Sequence, residues 1–365
     1  MRISHRTSAP LAVAGVVLLL GAGAVVFGGS RLALAHQREI SVGAAAEAGK
    51  ETTSALLAQY VLRRKSDPDR TEILTKQGKL VAVMTDGART AHLQGPQRTI
   101  AEPRFTPAKI ITTEWVRLAP KPWTAAAANE EWFATWFTKA LVDKSPDILG
   151  IAMQYMYGAP PKKDAEGKQY SGDASFGPLS DIDPDGRAEN SDFYDYLGVP
   201  WEFPDGVKEK PSETHRLSLD CSGFLRMVYG YRSGYPLLGV GVGIEPGEKR
   251  QQEIAHTVKE PGLPRSAWAI ADFGPGVQLM PNTGKRAANI DRLLPGDLLL
   301  FNAGPVQNKH IEHSGLYLGV DDRGHRRFLS SRSQANGPTM GDLHGESILD
   351  GSGFWAIRLR TARRL

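Results

Sequence analysis

The last third of this chain falls into four short apolar runs separated by turn residues, and that succession limits the fold more than any other feature. LLPGDLLLFN, HSGLYLGVD, RRFLSSR and GFWAIRLR read as strands, with Pro295-Gly296 and Asp322-Arg323-Gly324 as turns. Ahead of them an amphipathic segment that begins at Cys221 reads as a helix, followed by a Gly- and Pro-rich stretch from about 233 to 290. One helix and then a run of antiparallel strands make an α+β domain, not a doubly wound sheet. No internal repeat is visible.

The rest of the chain divides by composition. MRISHRTSAPLAVAGVVLLLGAGAVVFGGSRLALAHQ places Arg2 and Arg6 ahead of 19 uncharged residues, Leu11 to Gly29, and Ala33-Leu34-Ala35 offers a cleavage site. Residues 1–36 therefore read as a transmembrane anchor or a cleaved export signal; with the arginines on the cytoplasmic side, the bulk of the chain lies outside the membrane. Residues 51–158 read as a smaller α/β N-terminal accessory domain. It comprises a helix over about 52–65, a hairpin around Asp86-Gly87, a strand in ITTEWVRL, and two helices with Asn129 and Ser145 as caps. Residues 159–192 are rich in Pro, Gly, Ser and charge and read as a linker or long loop, leaving 193–365 as the second domain. The 44 Lys and Arg against 40 Asp and Glu give a scattered excess of +4. That pattern does not suit nucleic acid, but it fits a polyanionic surface such as the bacterial wall.

Cys221 is the one cysteine in 365 residues, so no internal disulfide exists, although an exported chain would use cysteines in pairs. Asp220 or Ser222 can cap the helix that carries Phe224, Leu225, Val228 and Tyr229, which puts Cys221 in the first turn. Unpaired N–H groups there favour a thiolate. Gly223 leaves room for a substrate backbone. His313 opens a strand further along, followed by Ser314 and Gly315, and a thiol at a helix start facing such a His can perform acyl transfer.

DCSGF, then LLPGDLLLF, then HSGLYLG resemble, in order and content, the NlpC-type cell-wall peptidases, papain-like cysteine enzymes of bacteria. The resemblance covers about 195–360. It implies a papain-like catalytic domain with a helix-borne Cys against an antiparallel sheet, Cys221 as nucleophile and His313 as general base. The Cys221 N–H would form part of an oxyanion hole, with Trp201, Asp220, Ser222, Gly223, Ser314 and Gly315 as substrate-binding residues. The implied substrate is a peptidoglycan stem peptide, cut at an amide next to a D-amino acid, with no cofactor. Two positions depart from the family pattern. Ser330 stands where a third polar residue, often His, orients the imidazole, with Gln334 and Asn336 as substitutes. Trp201 stands where a substrate-positioning Tyr is usual, and extra residues separate it from Cys221. A transacylase or amidase on the same scaffold, or an inactive wall-binding module, are the rival readings. Asp181, Asp183, Asp185, Gly186 and Asp192 follow D-x-D-x-D-G-x5-D, either a calcium loop or a plain turn. No metal site is expected at the reactive pair.

Overall fold

Two antiparallel sheets set the architecture of the computed structural model, which describes residues 58–181, 186–240, 261–343 and 345–365. The first is a meander in sequence order: β1 (Tyr60–Lys65), β2 (Arg70–Thr75), β3 (Leu80–Thr85), β4 (Thr90–Ala101) and β5 (Lys109–Leu118). The expected hairpin around Asp86-Gly87 is the β3–β4 connection, where Gly87 takes φ 82°. The helix expected over 52–65 is instead a turn at Ala58 and Gln59 and strand β1 from Tyr60 onward, with residues 52–57 outside the described part. The ladder to β2 decides this. Each residue from Tyr60 to Lys65 pairs across it, and Arg63 and Arg64 reach the carboxylates of Glu72 and Asp86, so tertiary pairing overrides helical spacing.

Helix α1 (Glu131–Val142) lays Phe133, Phe137 and Ala140 on Ile73, Met84 and Leu93 of the first sheet and on Trp123 beyond it. It starts after Asn129, with Glu130 at the cap position; the Glu130 carboxylate accepts from Trp132 Nε1 at 2.7 Å and caps no backbone N–H. Helix α2 (Ile148–Ala152) is capped by Asp147, not Ser145: its carboxylate accepts from Gly150 N at 2.9 Å, while Arg98 holds it at 2.6 Å. The 159–192 stretch carries a small ribbon, β6 (Lys162–Lys163) with β7 (Gln169–Ser171), and buries Ala174 and Phe176. Helix α3 (Phe193–Leu197) and a second ribbon, β8 (Trp201–Glu202) with β9 (Lys208–Glu209), follow.

The Cys221 segment is helix α4 (Cys221–Leu225), widening into a π turn over Arg226–Tyr231; α5 (Ala267–Phe273) comes next. The second sheet is ordered β10 (Val277–Met280), β15 (Leu359–Arg364), β11 (Leu298–Phe301), β12 (His313–Val320), β13 (Arg326–Arg332) and β14 (Gly337–Thr339). Of the four expected strands the last is only half right: Phe354–Arg358 is a helical turn, α6, which buries Trp355 before the chain enters β15. Side chains alternate between the faces of this sheet. Leu298, Leu300, Leu316, Leu318 and Leu329 meet Phe224, Leu225 and Val228 on one side. Leu299, Phe301, Tyr317 and Phe328 meet Trp355 and Leu349 on the other.

Polar bonds join the two sheets. His92 Nε2 lies 2.9 Å from the Pro295 carbonyl, Arg364 donates to Thr85 Oγ1 and to Asp297 at 2.8 Å, and the Glu102 carboxylate accepts from Thr339 Oγ1 and Met340 N at 2.8 Å. Residues 50–365 form one compact unit. The stretch read as an anchor or export signal lies outside the described residues; among those described, no helix is long and apolar enough to cross a membrane.

Burial, with Arg364 close by, pushes His92 down to about 3, and burial does the same to His313. In an unfolded chain both rings take a proton at about 6.5, so folding must expel it below that pH. Stability is thus expected to be level above about pH 6.5 and to fall as the pH drops toward about 3. Urea midpoints across that range check this, with a shallower fall in His92→Gln.

Candidate active site

The start of α4 is over-determined by one carboxylate. Asp220, in extended conformation, caps the helix by accepting from Gly223 N at 2.7 Å. Its other oxygen accepts from Asn190 N at 3.0 Å, while Asp220 N donates to Ser191 O at 2.9 Å. The 190–192 backbone therefore lies against the helix start. A Cβ on Gly223 would stand 2.1 Å from Ser191 O, so the space beside this glycine is filled by the protein's own backbone and does not admit a substrate. Ser222 is equally internal: it donates to Asp220 at 3.2 Å and accepts from Arg265 at 2.7 Å.

Arg265 had no signal in the sequence, since it lies within the aperiodic Gly- and Pro-rich stretch. Its guanidinium meets Asp220 at 2.5 Å and lies 3.5 Å from Asp192, which also pairs with Arg226 at 3.0 Å. All four side chains are buried. Burial alone would raise the Asp220 carboxyl, but Arg265, Gly223 N and Ser222 outweigh it and hold the group below the usual carboxylate range. Asp192 is the cap of α3 and fully buried, so its carboxylate is spent on arginine; Asp183 and Asp185 of the possible calcium loop lie outside the described residues. Among the described residues no cluster of His, Cys, Asp and Glu could hold a metal.

The Cys221 thiol lies 4.0 Å from the Glu312 carbonyl, and the next residue is His313, first in β12. Helix α4 and β12 thus bring the thiol to the strand head that carries the imidazole. Both residues are only 8% exposed. The helix start does not yield a resting thiolate. Burial pushes the Cys221 thiol up to about 12, Asp220 and Glu189 push the same way, and the Ser314 hydroxyl and amide counter them only partly. The positive end of the helix does not outweigh burial and two nearby carboxylates. Burial, then Arg332, lowers His313 to about 3 against the opposing pull of Asp220. The resting pair is a neutral thiol and a neutral imidazole.

The His313 ring leans on Trp355, with centroids 4.7 Å apart at 35°, and its Nε2 is buried without a hydrogen bond. Ser330 is buried on β13, but its hydroxyl accepts from Arg332 Nε at 2.9 Å and not from the imidazole. Asn336 is turned to Phe176 N at 3.3 Å, and Gln334 is exposed in the following turn. None of the three bonds to Nε2. Trp201 packs edge-on to Phe193 at 5.0 Å and to Tyr231 at 6.0 Å, as part of the core around α3. Ser314 is fully buried beside the thiol. A Cβ on Gly315 would stand 3.0 Å from both Leu329 O and the Phe328 ring, so this glycine serves the approach of β13.

Two outcomes follow from these surroundings. A thiol at about 12 is far less ionised at neutral pH than a free one, so alkylation of native Cys221 by iodoacetamide should be on the order of a thousandfold slower than in the urea-unfolded chain. Mass spectrometry of timed samples measures the ratio. Arg265→Met leaves Asp220 buried without its cation and should cost roughly 3–5 kcal/mol of stability by denaturant unfolding, loosening the start of α4.

No curated protein matches the chain. Residues 201–348 match the model of the NlpC/P60 family, a span that takes in Cys221, His313 and Ser330. Thiol at a helix start and imidazole at the head of the adjoining strand both lie within this span, and the part of the chain that holds the site is similar to the NlpC/P60 family.

Proposed function

We propose that this chain is an extracytoplasmic cysteine hydrolase that cleaves amide bonds in peptidoglycan stem peptides, tethered or exported by its apolar N-terminal segment. The observation that supports the reading is the seat of the Cys221 sulfur against the Glu312 carbonyl, one residue before His313. Because both groups rest neutral, the proton leaves sulfur for the imidazole as the sulfur bonds to the substrate carbonyl, and the charge passes to the carbonyl oxygen. The Cys221 N–H at the helix start faces that oxygen as an oxyanion donor. His313 then gives its proton to the leaving amine, and water releases the acyl group from sulfur. No cofactor takes part in these steps.

The unpartnered Nε2 of His313 favours a second reading, a wall-binding module that has lost turnover. Purified muropeptides separate the possibilities. Hydrolysis releases new free amino groups, which Cys221→Ala should reduce at least about a thousandfold. New amides in place of free amines would show a transacylase. Retained binding with no turnover in the native chain would leave only the module.

A further inference from the structure

His313 lacks the hydrogen-bonded partner that orients the imidazole in a triad. What holds its ring is Trp355, and the same indole carries Arg332, whose Cζ lies 4.8 Å from the ring centroid. Arg332 is 1% exposed. It donates through Nε to Ser330 Oγ at 2.9 Å, through one terminal nitrogen to the Gly345 carbonyl at 3.0 Å, and through the other to Ser347 Oγ. The Phe328 ring lies 5.1 Å from its Cζ. These partners are all neutral, and among the described residues no carboxylate forms an ion pair with it; Glu102 and Asp342 act on it at longer range and favour its charge. Burial pulls its own value down to about 9, which still leaves it cationic at neutral pH.

We infer that Trp355 and Arg332 together take the place of the absent third polar residue: the indole fixes the plane of the His313 ring, and the guanidinium on that same indole, with no ion-paired carboxylate, sets a positive charge beside it. Arg332 is thus a positioning residue that acts through its neighbours, opposite in sign to an orienting carboxylate. The other groups around the ring do not cancel it. Strand β11 offers Phe301 and α6 offers Trp355, both without charge. Helix α4 offers Asp220, whose charge Arg265 already meets at 2.5 Å, and Glu102 and Asp342 act on the guanidinium without pairing with it. The neighbouring Glu312 carboxylate is turned to Gly304 N at 3.0 Å and to His310 at 3.6 Å. His313 therefore waits as a free base, and the proton moves only when the carbon–sulfur bond forms.

The inference rests on His313 being the base proposed above, and the test separates the two. NMR of the full chain with labelled histidine, the His313 signal assigned by loss in His313→Gln, should show the ring neutral down to below about pH 5. Arg332→Met should raise its midpoint by about one unit or more, while Arg332→Lys, which keeps the charge, should leave it within a few tenths. The acid limb of kcat/KM for amine release should rise with the midpoint in Arg332→Met, and Trp355→Leu should lower kcat with little change in KM. A native His313 midpoint at or above about 6.5 overturns the inference without recourse to any variant. So does a folded Arg332→Met whose midpoint stays in place, or a Trp355→Leu with native kcat. Titrations as expected without amine release from the native chain would sink the hydrolase reading alone.

Discussion

The site depends on four buried charges. Asp220 and Asp192 each cap a helix, and Arg265 and Arg226 lock the two caps together. A buried ion network adds little net stability compared with well-packed apolar groups, but the loss of one member leaves a costly unpaired charge. Its value here is geometric. It fixes where α4 begins, and with it the position of the Cys221 sulfur against the head of β12. The π turn after Leu225 carries Arg226 to that network, so the widening of the helix and the seat of the nucleophile are linked.

Around the reactive pair the electrostatics run against early ionisation. Two carboxylates stand near the thiol and a guanidinium near the imidazole, so the resting ion pair common in Cys–His sites is disfavoured from both ends. The orphaned Nε2 and the stacked indole belong to the same design, with ring packing on one face doing what a hydrogen bond at the far nitrogen would otherwise do.

What could be read from the sequence was local. The Asp cap before Cys221, the Pro295-Gly296 turn and the alternation in HSGLYLG each act within a few residues, and α4, β11 and β12 stand where those signals put them. Non-local partnerships were not legible. Arg265 meets Asp220 across 45 residues with no periodic run to announce it. Trp355 reaches His313 only because a helical turn interrupts what read as a plain strand. Tyr60–Lys65 carried helical spacing and became a strand because β2 was there to pair with. Gly223 read as an opening for substrate, whereas the structure fills that space with Ser191.

The bonds between the sheets change what the first one is for. Thr85, His92 and Glu102 supply acceptors and donors to Arg364, Pro295 and the end of β14, all in the half that carries the thiol. A fragment trimmed to the catalytic half would expose a buried arginine surface and a bare sheet margin to solvent. The first sheet is therefore an internal brace, made of the same chain, without which the half that carries Cys221 has no finished surface.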